Sequence, residues 1–154
     1  MDHVTADVAT DTAVISSPSM TEHRLLLQGE GGVGKQALLV QFVENRFAFE
    51  DLRGAEDYTC QKQVAIDDEA CLLKMCSPIC GEWTEAGYVF RHRSQGILFT
   101  YSISSRSSFE GIAIHFENQR ATNENEFAMI IVGTQCDLEE DRQVTEVEGE
   151  NLAA

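Results

Sequence analysis

The sequence predicts an α/β domain of three layers, in which helices cover a mainly parallel sheet that contains one antiparallel hairpin. Three observations indicate this class. Short apolar runs alternate with longer segments of helical periodicity, a glycine cluster follows the first apolar run directly, and a short acidic turn separates two strand-like runs. Alternating strands and helices are typical of parallel sheets, whereas a short turn between two strands produces an antiparallel pair.

The first half of the domain contributes three predicted strands and one helix. Residues 24–28 form a short apolar run that meets glycine at once, which favours a buried strand over a helix. Residues 35–45 have an apolar face at helical spacing. Residues 61–66 and 70–76 have the composition of strands, and the acidic residues 67–69 between them predict a tight hairpin turn.

The second half of the domain follows a predicted loop at Pro78 and Gly81. Its predicted elements are a strand over 96–102, a helix over 107–119 with Phe109, Ile112 and Phe116 on one face, a strongly hydrophobic strand over 127–132, and a last helical stretch from Thr145 with Glu148 as capping-box partner. Before that last stretch, the predicted order is strand, helix, strand, strand, helix, strand, helix, strand. Ligands of such sheets lie at the carboxyl ends of the strands.

Composition narrows the range of functions. The chain has 154 residues, which suits one domain, and 43% apolar residues, which excludes a disordered chain. The net charge of −15 disfavours DNA, RNA and anionic membrane surfaces, because those partners are bound through Lys and Arg. We expect residues 1–20 to be a flexible leader and residues 21–154 to form the domain.

The cysteines and the chain ends predict a cytoplasmic location. There are five cysteines, an odd number, and the chain shows neither a signal peptide nor a lipidation signal, so we expect reduced thiols and no membrane anchor. Cys76 and Cys80 have the spacing of a metal-binding pair. No second Cys or His pair accompanies them, so packing is the favoured interpretation.

One glycine-rich segment has the pattern of a phosphate-binding loop, G-x-x-x-x-G-K, between a predicted strand and a predicted helix. It consists of Gly29, Glu30, Gly31, Gly32, Val33, Gly34 and Lys35, with Gln36 and Ala37 following. Glycine lets backbone N–H groups converge on phosphate, the helix N-terminus favours an anion, and Lys35 would lie against the terminal phosphates. Gln36 replaces the Ser or Thr whose hydroxyl would bind magnesium. The alternative is a glycine-rich turn with no ligand.

Several segments together resemble the Ras family of small GTPases. The matching segments are residues 31–35, 62–64, 66–67, 69–73, 96–98, 108–110 and 132–138, within a resemblance that covers about residues 20 to 152. The resemblance implies the P-loop NTPase fold, here without the family's last strand and helix. It also implies binding of GTP or GDP with magnesium, slow hydrolysis, and two loops that sense the γ-phosphate.

The resemblance assigns the guanine site to the end of the chain's last predicted strand. Asp137 matches the family's base-reading Asp, whose carboxylate accepts two N–H bonds from guanine. Thr134 and Gln135 replace the family's Asn-Lys pair. Thr134 is expected to be too short to copy the Asn bonds, so the guanine preference is expected to be weakened. Phe47 matches an aromatic that stacks near the base, with core packing as the alternative.

The resemblance also shows which functional positions have changed. Gln36 and Ser77 fall at the family's magnesium positions, and Gly54 or Ala55 replaces the magnesium-binding Thr of the first switch. These losses predict weak or absent magnesium binding. In the second switch, Gly81 matches the Gly that meets the γ-phosphate, and Glu82 replaces the Gln that positions water.

Two functions remain open at this point. The first is a guanine-nucleotide-dependent switch in signal transduction with weak or absent hydrolysis, which would bind effectors or regulators through the region of Glu56 and Asp57. The alternative is a pseudo-GTPase, a protein-interaction module that binds nucleotide weakly or not at all.

Overall fold

The structure is a computed structural model that describes residues 20–47, 58–78, 93–122 and 128–154. These residues contain five strands, three α-helices and one short 3-10 helix. In chain order the elements are β1 Thr21–Gln28, α1 Lys35–Glu44, β2 Tyr58–Ile66, β3 Glu69–Ser77, β4 Gly96–Ser102, α2 Arg106–Ala121, β5 Ala128–Thr134, the 3-10 helix Glu139–Asp141 and α3 Glu146–Ala153.

The five described strands form one sheet in the order β2-β3-β1-β4-β5. Only β2 and β3 pair antiparallel; β1 pairs parallel with β3 and with β4, and β4 pairs parallel with β5. The predicted fold class is therefore confirmed. The carboxyl ends of β1, β4 and β5 consequently meet at one edge of the sheet, where a ligand of this class of fold would bind.

Apolar side chains cover both faces of the sheet, as a three-layer domain requires. Leu26 and Leu27 are adjacent on β1 and therefore point to opposite faces. Leu26 packs in a cluster with Phe99, Ile112 and other buried residues on the α2 side, whereas Leu27 packs with Leu39 of α1 and with Met75. The sheet is thus sandwiched between α1 and α2.

The hairpin between β2 and β3 turns through two residues. Asp67 and Asp68 have φ values of 50° and 64°, and Ile66 pairs with Glu69 on either side of them. Positive φ at both central residues is the mark of a type I′ turn, whose twist matches that of the flanking strands. The predicted turn is confirmed, although Glu69 already belongs to β3.

The other predicted elements are present with shifted ends. β1 begins at Thr21, β2 begins at Tyr58, α2 spans Arg106–Ala121 and β5 extends to Thr134. The predicted helix before β4, Phe127 and most of the leader fall outside the described residues. Within the described residues, Cys60, Cys71, Cys76 and Cys136 form no disulfide bond.

Glu148 connects the start of α2 to the start of α3. Its carboxylate accepts hydrogen bonds from Arg106 Nη1 at 2.6 Å and from the backbone N–H and hydroxyl of Thr145, both at 2.9 Å. The predicted capping box between Thr145 and Glu148 is confirmed. The Arg106 guanidinium first, and then the Thr145 backbone and hydroxyl, lower the pKa of Glu148 from its ordinary value of 4.5 to about 2.

We expect the stabilising effect of Glu148 to disappear in acid. Its folded-state pKa lies below its unfolded value, so its contribution is complete above about pH 4.5 and is lost as the pH falls toward 2. The free energy of unfolding of Glu148→Gln, measured in urea, should lie below that of the wild type at pH 7, and the difference should be smaller at pH 3 and disappear only below about pH 2. Glu150→Gln, whose carboxylate has no partner among the described residues, is the matched control. A wild-type-to-variant difference that is the same at pH 7 and pH 3 would contradict this expectation.

Candidate functional site

The candidate site begins at the loop between β1 and α1, at the carboxyl edge of the sheet. Gly34 is the N-cap of α1 with φ of 93°, and no side chain caps the N-terminal N–H groups of that helix. Orphan N–H groups at a helix start, together with the helix dipole, favour an anion there. Gln36 and Ala37 lie in the first turn of α1 and are half-buried.

The described fold requires glycine at some positions of the loop and not at others. Gly29 has φ of 150°, and a Cβ at this position would stand 2.1 Å from the carbonyl oxygen of Thr100, so the fold itself requires glycine. Gly32 and Gly34 have φ of 83° and 93°, in the left-handed region that favours glycine. Gly31 has no positive φ, and among the described residues no atom beyond its two chain neighbours lies within 4 Å of the place where its Cβ would stand. Nothing in the described fold requires glycine at Gly31, and the space above it is open.

Lys35 folds its ammonium group back over the loop. Its Nζ donates to the carbonyl of Gly29 at 2.5 Å and to that of Glu30 at 2.6 Å. These bonds brace the loop in its curved shape. They also hold a positive charge beside the N-terminus of α1, the position in which a lysine would neutralise phosphate.

The end of β5 is hydrogen-bonded to this loop. The Thr134 hydroxyl donates to the carbonyl of Val33 or, at 2.8 Å, to that of Tyr101, one at a time because it carries a single proton. That Thr134 is too short to copy the family's Asn bonds stays a prediction, but its hydroxyl does reach the loop. Thr134 reaches it because the parallel register places Thr134 beside Ser102 at the end of β4.

Gln135 makes a second connection between the end of β5 and the loop. Its φ is 59°, its Nε2 donates to the carbonyl of Gly32 at 3.1 Å, and its Oε1 accepts from the Ser102 hydroxyl. The resemblance predicts for Gln135 only a shortened stem packed against the base. That packing stays a prediction, and the amide group itself joins β4, β5 and the loop.

Three serines extend this network to α2, and none of them is among the site residues predicted from the sequence. The backbone N–H of Ser102 donates to the hydroxyl of Ser108 at 3.1 Å, and that hydroxyl donates to the carbonyl of Ser105 at 2.8 Å. The backbone N–H of Ser108 donates to the Ser105 hydroxyl, which caps α2. The S-x-x-S pattern of a helix cap is a local signal for Ser105 and Ser108, but nothing local indicates the role of Ser102.

Asp137 lies in the exposed turn that follows Gln135. The turn is closed by a hydrogen bond from the Leu138 N–H to the Gln135 carbonyl, at 2.9 Å. Among the described residues, the Asp137 carboxylate has no hydrogen-bond or ion-pair partner. A carboxylate that the protein leaves unpaired beside a phosphate loop can accept hydrogen bonds from a ligand. Its reading of guanine stays a prediction.

Phe47 follows the end of α1 and is not a core residue. The helix ends at Glu44, Asn45 adopts a left-handed conformation at its C-cap, and 66% of the Phe47 side chain is exposed. The core-packing alternative for this aromatic is therefore excluded. Its stacking on a base remains a prediction.

The described residues at the magnesium positions do not fit the family's magnesium site. Gln36 presents an amide, and Ser77, the last residue of β3, presents a hydroxyl that is 1% exposed. Magnesium in nucleotide sites is held by carboxylates and hydroxyls together with phosphates. Within residues 20–47, 58–78, 93–122 and 128–154, no three His, Cys, Asp or Glu side chains come together as a metal site.

The remaining predicted site residues lie elsewhere in the chain. Gly54, Ala55, Glu56, Asp57, Gly81 and Glu82 all fall outside the described residues. The two switch loops, the effector-contacting pair and the water-positioning residue therefore stay predictions of the sequence.

The described geometry defines a class of protein. A glycine loop between the first strand and first helix of a parallel sheet, closed by a lysine on the helix, is the phosphate-binding loop of nucleotide-binding α/β domains. A model of the Ras family matches residues 24–154. The chain belongs to the Ras family, which is a family of small GTP-binding proteins. In the part of the chain that the structure describes, no helix has the length and apolar character to cross a membrane.

Proposed function

We propose that this protein binds GDP or GTP, with the phosphates in the loop formed by residues 29–37 and the guanine base at Asp137. One observation carries the proposal: two residues just before Asp137 are hydrogen-bonded to the phosphate loop, Thr134 to Val33 and Gln135 to Gly32. The candidate phosphate site and the candidate base site are therefore parts of one connected unit. Such a unit presents both ends of a nucleotide with a preformed site, which favours binding.

The open space at Gly31 supports the same proposal. A glycine that is neither strained nor crowded increases the backbone entropy that is lost on folding, and the described fold gains nothing in return. A phosphate group held close to the backbone would favour glycine at this position, because a side chain there would compete with the ligand for space. The uncapped N-terminus of α1 and the ammonium of Lys35 supply the charge that phosphate needs.

The role that this binding serves is proposed from the family. We infer a guanine-nucleotide-dependent switch in signal transduction, with protein effectors or regulators bound near Glu56 and Asp57. Hydrolysis is proposed to be weak or absent, because magnesium neutralises the charge that develops in phosphoryl transfer and the amide of Gln36 and hydroxyl of Ser77 do not replace its usual ligands.

A second candidate is a pseudo-GTPase that acts as a protein-interaction module. The burial of Ser77 favours it, because a side chain that is 1% exposed is poorly placed to organise a hydrated cation. This candidate predicts that nucleotide binds weakly and without magnesium. A protein of this kind would keep the fold and the phosphate loop, but its conformation would not depend on the γ-phosphate.

The strength of nucleotide binding, measured with magnesium and with a chelator, separates the two candidates, because tight GDP binding supports the switch and weak binding supports the interaction module. We expect GDP to bind, and magnesium to change its affinity by less than about threefold, where a fitted magnesium site would change it by orders of magnitude. Lys35→Met should weaken GDP binding by about ten- to a hundredfold, the loss of one charge-assisted contact. Lys74→Met, a lysine on β3 paired with Glu22, is the matched control.

The outcomes are distinct. Strong, magnesium-dependent binding with single-turnover GTP hydrolysis at an ordinary small-GTPase rate would exclude the proposed weak hydrolysis. Binding of GDP that is unaffected by Lys35→Met would exclude the loop as the phosphate site. Absence of guanine-nucleotide binding in the folded wild type would exclude the nucleotide switch and leave the interaction module.

A further inference from the structure

Glu30 is the acidic residue of the phosphate loop, between Gly29 and Gly31. Its backbone carbonyl accepts the hydrogen bond from the Lys35 ammonium, so the residue lies against the loop's one lysine. Its side chain crosses to α2, where Oε1 lies 3.3 Å from the position that a Cβ of Gly111 would occupy. The carboxylate therefore lies against a glycine of α2. The absence of a side chain at that glycine leaves space for the carboxylate.

The charge of this carboxylate is not neutralised by the described part of the protein. Across those residues, no Lys, Arg or His forms an ion pair with Glu30, and no hydrogen bond reaches its side-chain oxygens. Lys35 directs its ammonium to the carbonyls of Gly29 and Glu30, not to the Glu30 carboxylate. A phosphate in this loop would therefore meet one positive charge, on Lys35, and one negative charge, on Glu30.

We propose that Glu30 is a specificity-determining residue that makes the loop favour nucleoside diphosphates over nucleoside triphosphates. The inference rests on the proposed function, since it concerns the same loop. A triphosphate carries about one negative charge more than a diphosphate, and a like charge held in the loop repels it more strongly. Magnesium would normally offset that extra charge, but the described donors at Gln36 and Ser77 do not fit it.

The expected size of the effect depends on the distance between the two charges and on their exposure to solvent. One unit charge acting on another at about 8 to 10 Å, with an effective dielectric constant of about 40 to 80, changes a binding constant by about two- to fivefold. The effect should weaken in high salt, because exposed charges at this separation are screened. Glu30 is therefore expected to alter the ratio of the GDP and GTP affinities rather than to abolish binding.

The test compares the GDP and GTP affinities of the wild type with those of Glu30→Gln, which keeps the shape of the side chain and removes its charge. Titration calorimetry at low salt, with a chelator present, should show GTP affinity rising about two- to fivefold more than GDP affinity. The gain should shrink at about 0.5 M salt. Glu117→Gln makes the same charge change on an exposed residue of α2 and should leave the ratio of affinities unchanged.

A relocation of the charge distinguishes electrostatics from altered loop shape. The double variant Glu30→Ala with Gly111→Asp vacates the space of the Glu30 carboxylate and returns a carboxylate to it from α2, and should restore the wild-type ratio. Glu30→Ala with Gly111→Asn is isosteric with that double variant and neutral, and should keep the ratio of Glu30→Gln. A restored ratio in both double variants would overturn the charge argument in favour of packing.

The same titrations with pyrophosphate and tripolyphosphate examine the loop without the base. A shift toward tripolyphosphate in Glu30→Gln supports the inference even if guanine is not recognised. Ratios that are equal in the wild type and Glu30→Gln, with nucleotide bound, overturn the inference and leave the proposed function intact. Binding of neither nucleotide nor polyphosphate by any folded variant overturns both.

Discussion

Gly29→Ala is expected to lower the free energy of unfolding by about 2 to 5 kcal/mol, the cost of severe overpacking together with a strained backbone. The added Cβ would stand 2.1 Å from the carbonyl oxygen and 3.1 Å from the carbonyl carbon of Thr100. Both atoms belong to the backbone of β4, a central strand of the sheet, so neither can move without breaking strand pairing. The φ of 150° adds a conformation that alanine rarely adopts.

The matched control for this substitution is in the same loop. Gly31→Ala adds the same methyl group where no atom of the described residues, its chain neighbours apart, lies within 4 Å and no positive φ is required. We expect its melting temperature to stay within about 2 °C of the wild type, whereas that of Gly29→Ala should fall by about 8 °C or more if a cooperative transition survives. Equal melting temperatures for the two variants would show that the loop does not pack against β4 as described.

The comparison of Gly29 with Gly31 shows where sequence-based reasoning ends. Both glycines belong to the phosphate-loop pattern, and the pattern does not distinguish the one that the fold requires from the one that leaves open space. The fold class, a mainly parallel sheet with one antiparallel hairpin, could be predicted, because alternating strands and helices leave few arrangements open. The steric role of Gly29 could not, since it depends on Thr100 of a strand that is distant in the chain.

The network around the loop is beyond prediction for the same reason. The sequence allows Thr134 to be compared only in length with the residue that it replaces, but its reach depends on the register that sets it beside Ser102. Ser102 itself is an ordinary strand residue in the sequence, and it matters because the amide of Gln135 reaches its hydroxyl. Likewise the contact between Glu30 and Gly111 joins two segments that nothing local relates.

Asp137→Ala is expected to reduce GDP affinity by about thirtyfold or more while leaving ADP affinity within about twofold. The carboxylate would lose two charge-assisted hydrogen bonds to guanine, each worth about 1.5 to 3 kcal/mol before the solvent exposure of the turn reduces it. Adenine does not present the same pair of N–H donors, so it gains nothing from the carboxylate and loses nothing with it. Competition between the two diphosphates, measured by titration, gives the change in preference directly.

The fall in GDP affinity of Asp137→Ala can be distinguished from a loss of folding. Among the described residues the Asp137 carboxylate has no partner, so its removal should leave the melting temperature unchanged within about 2 °C. Asp141→Ala, an exposed carboxylate in the neighbouring 3-10 helix, is the matched control and should alter neither melting temperature nor base preference. An equal fall in GDP and ADP affinity for Asp137→Ala would mean that this turn supports the phosphate loop without reading the base. The connection of Thr134 and Gln135 to Val33 and Gly32 would then serve the loop alone.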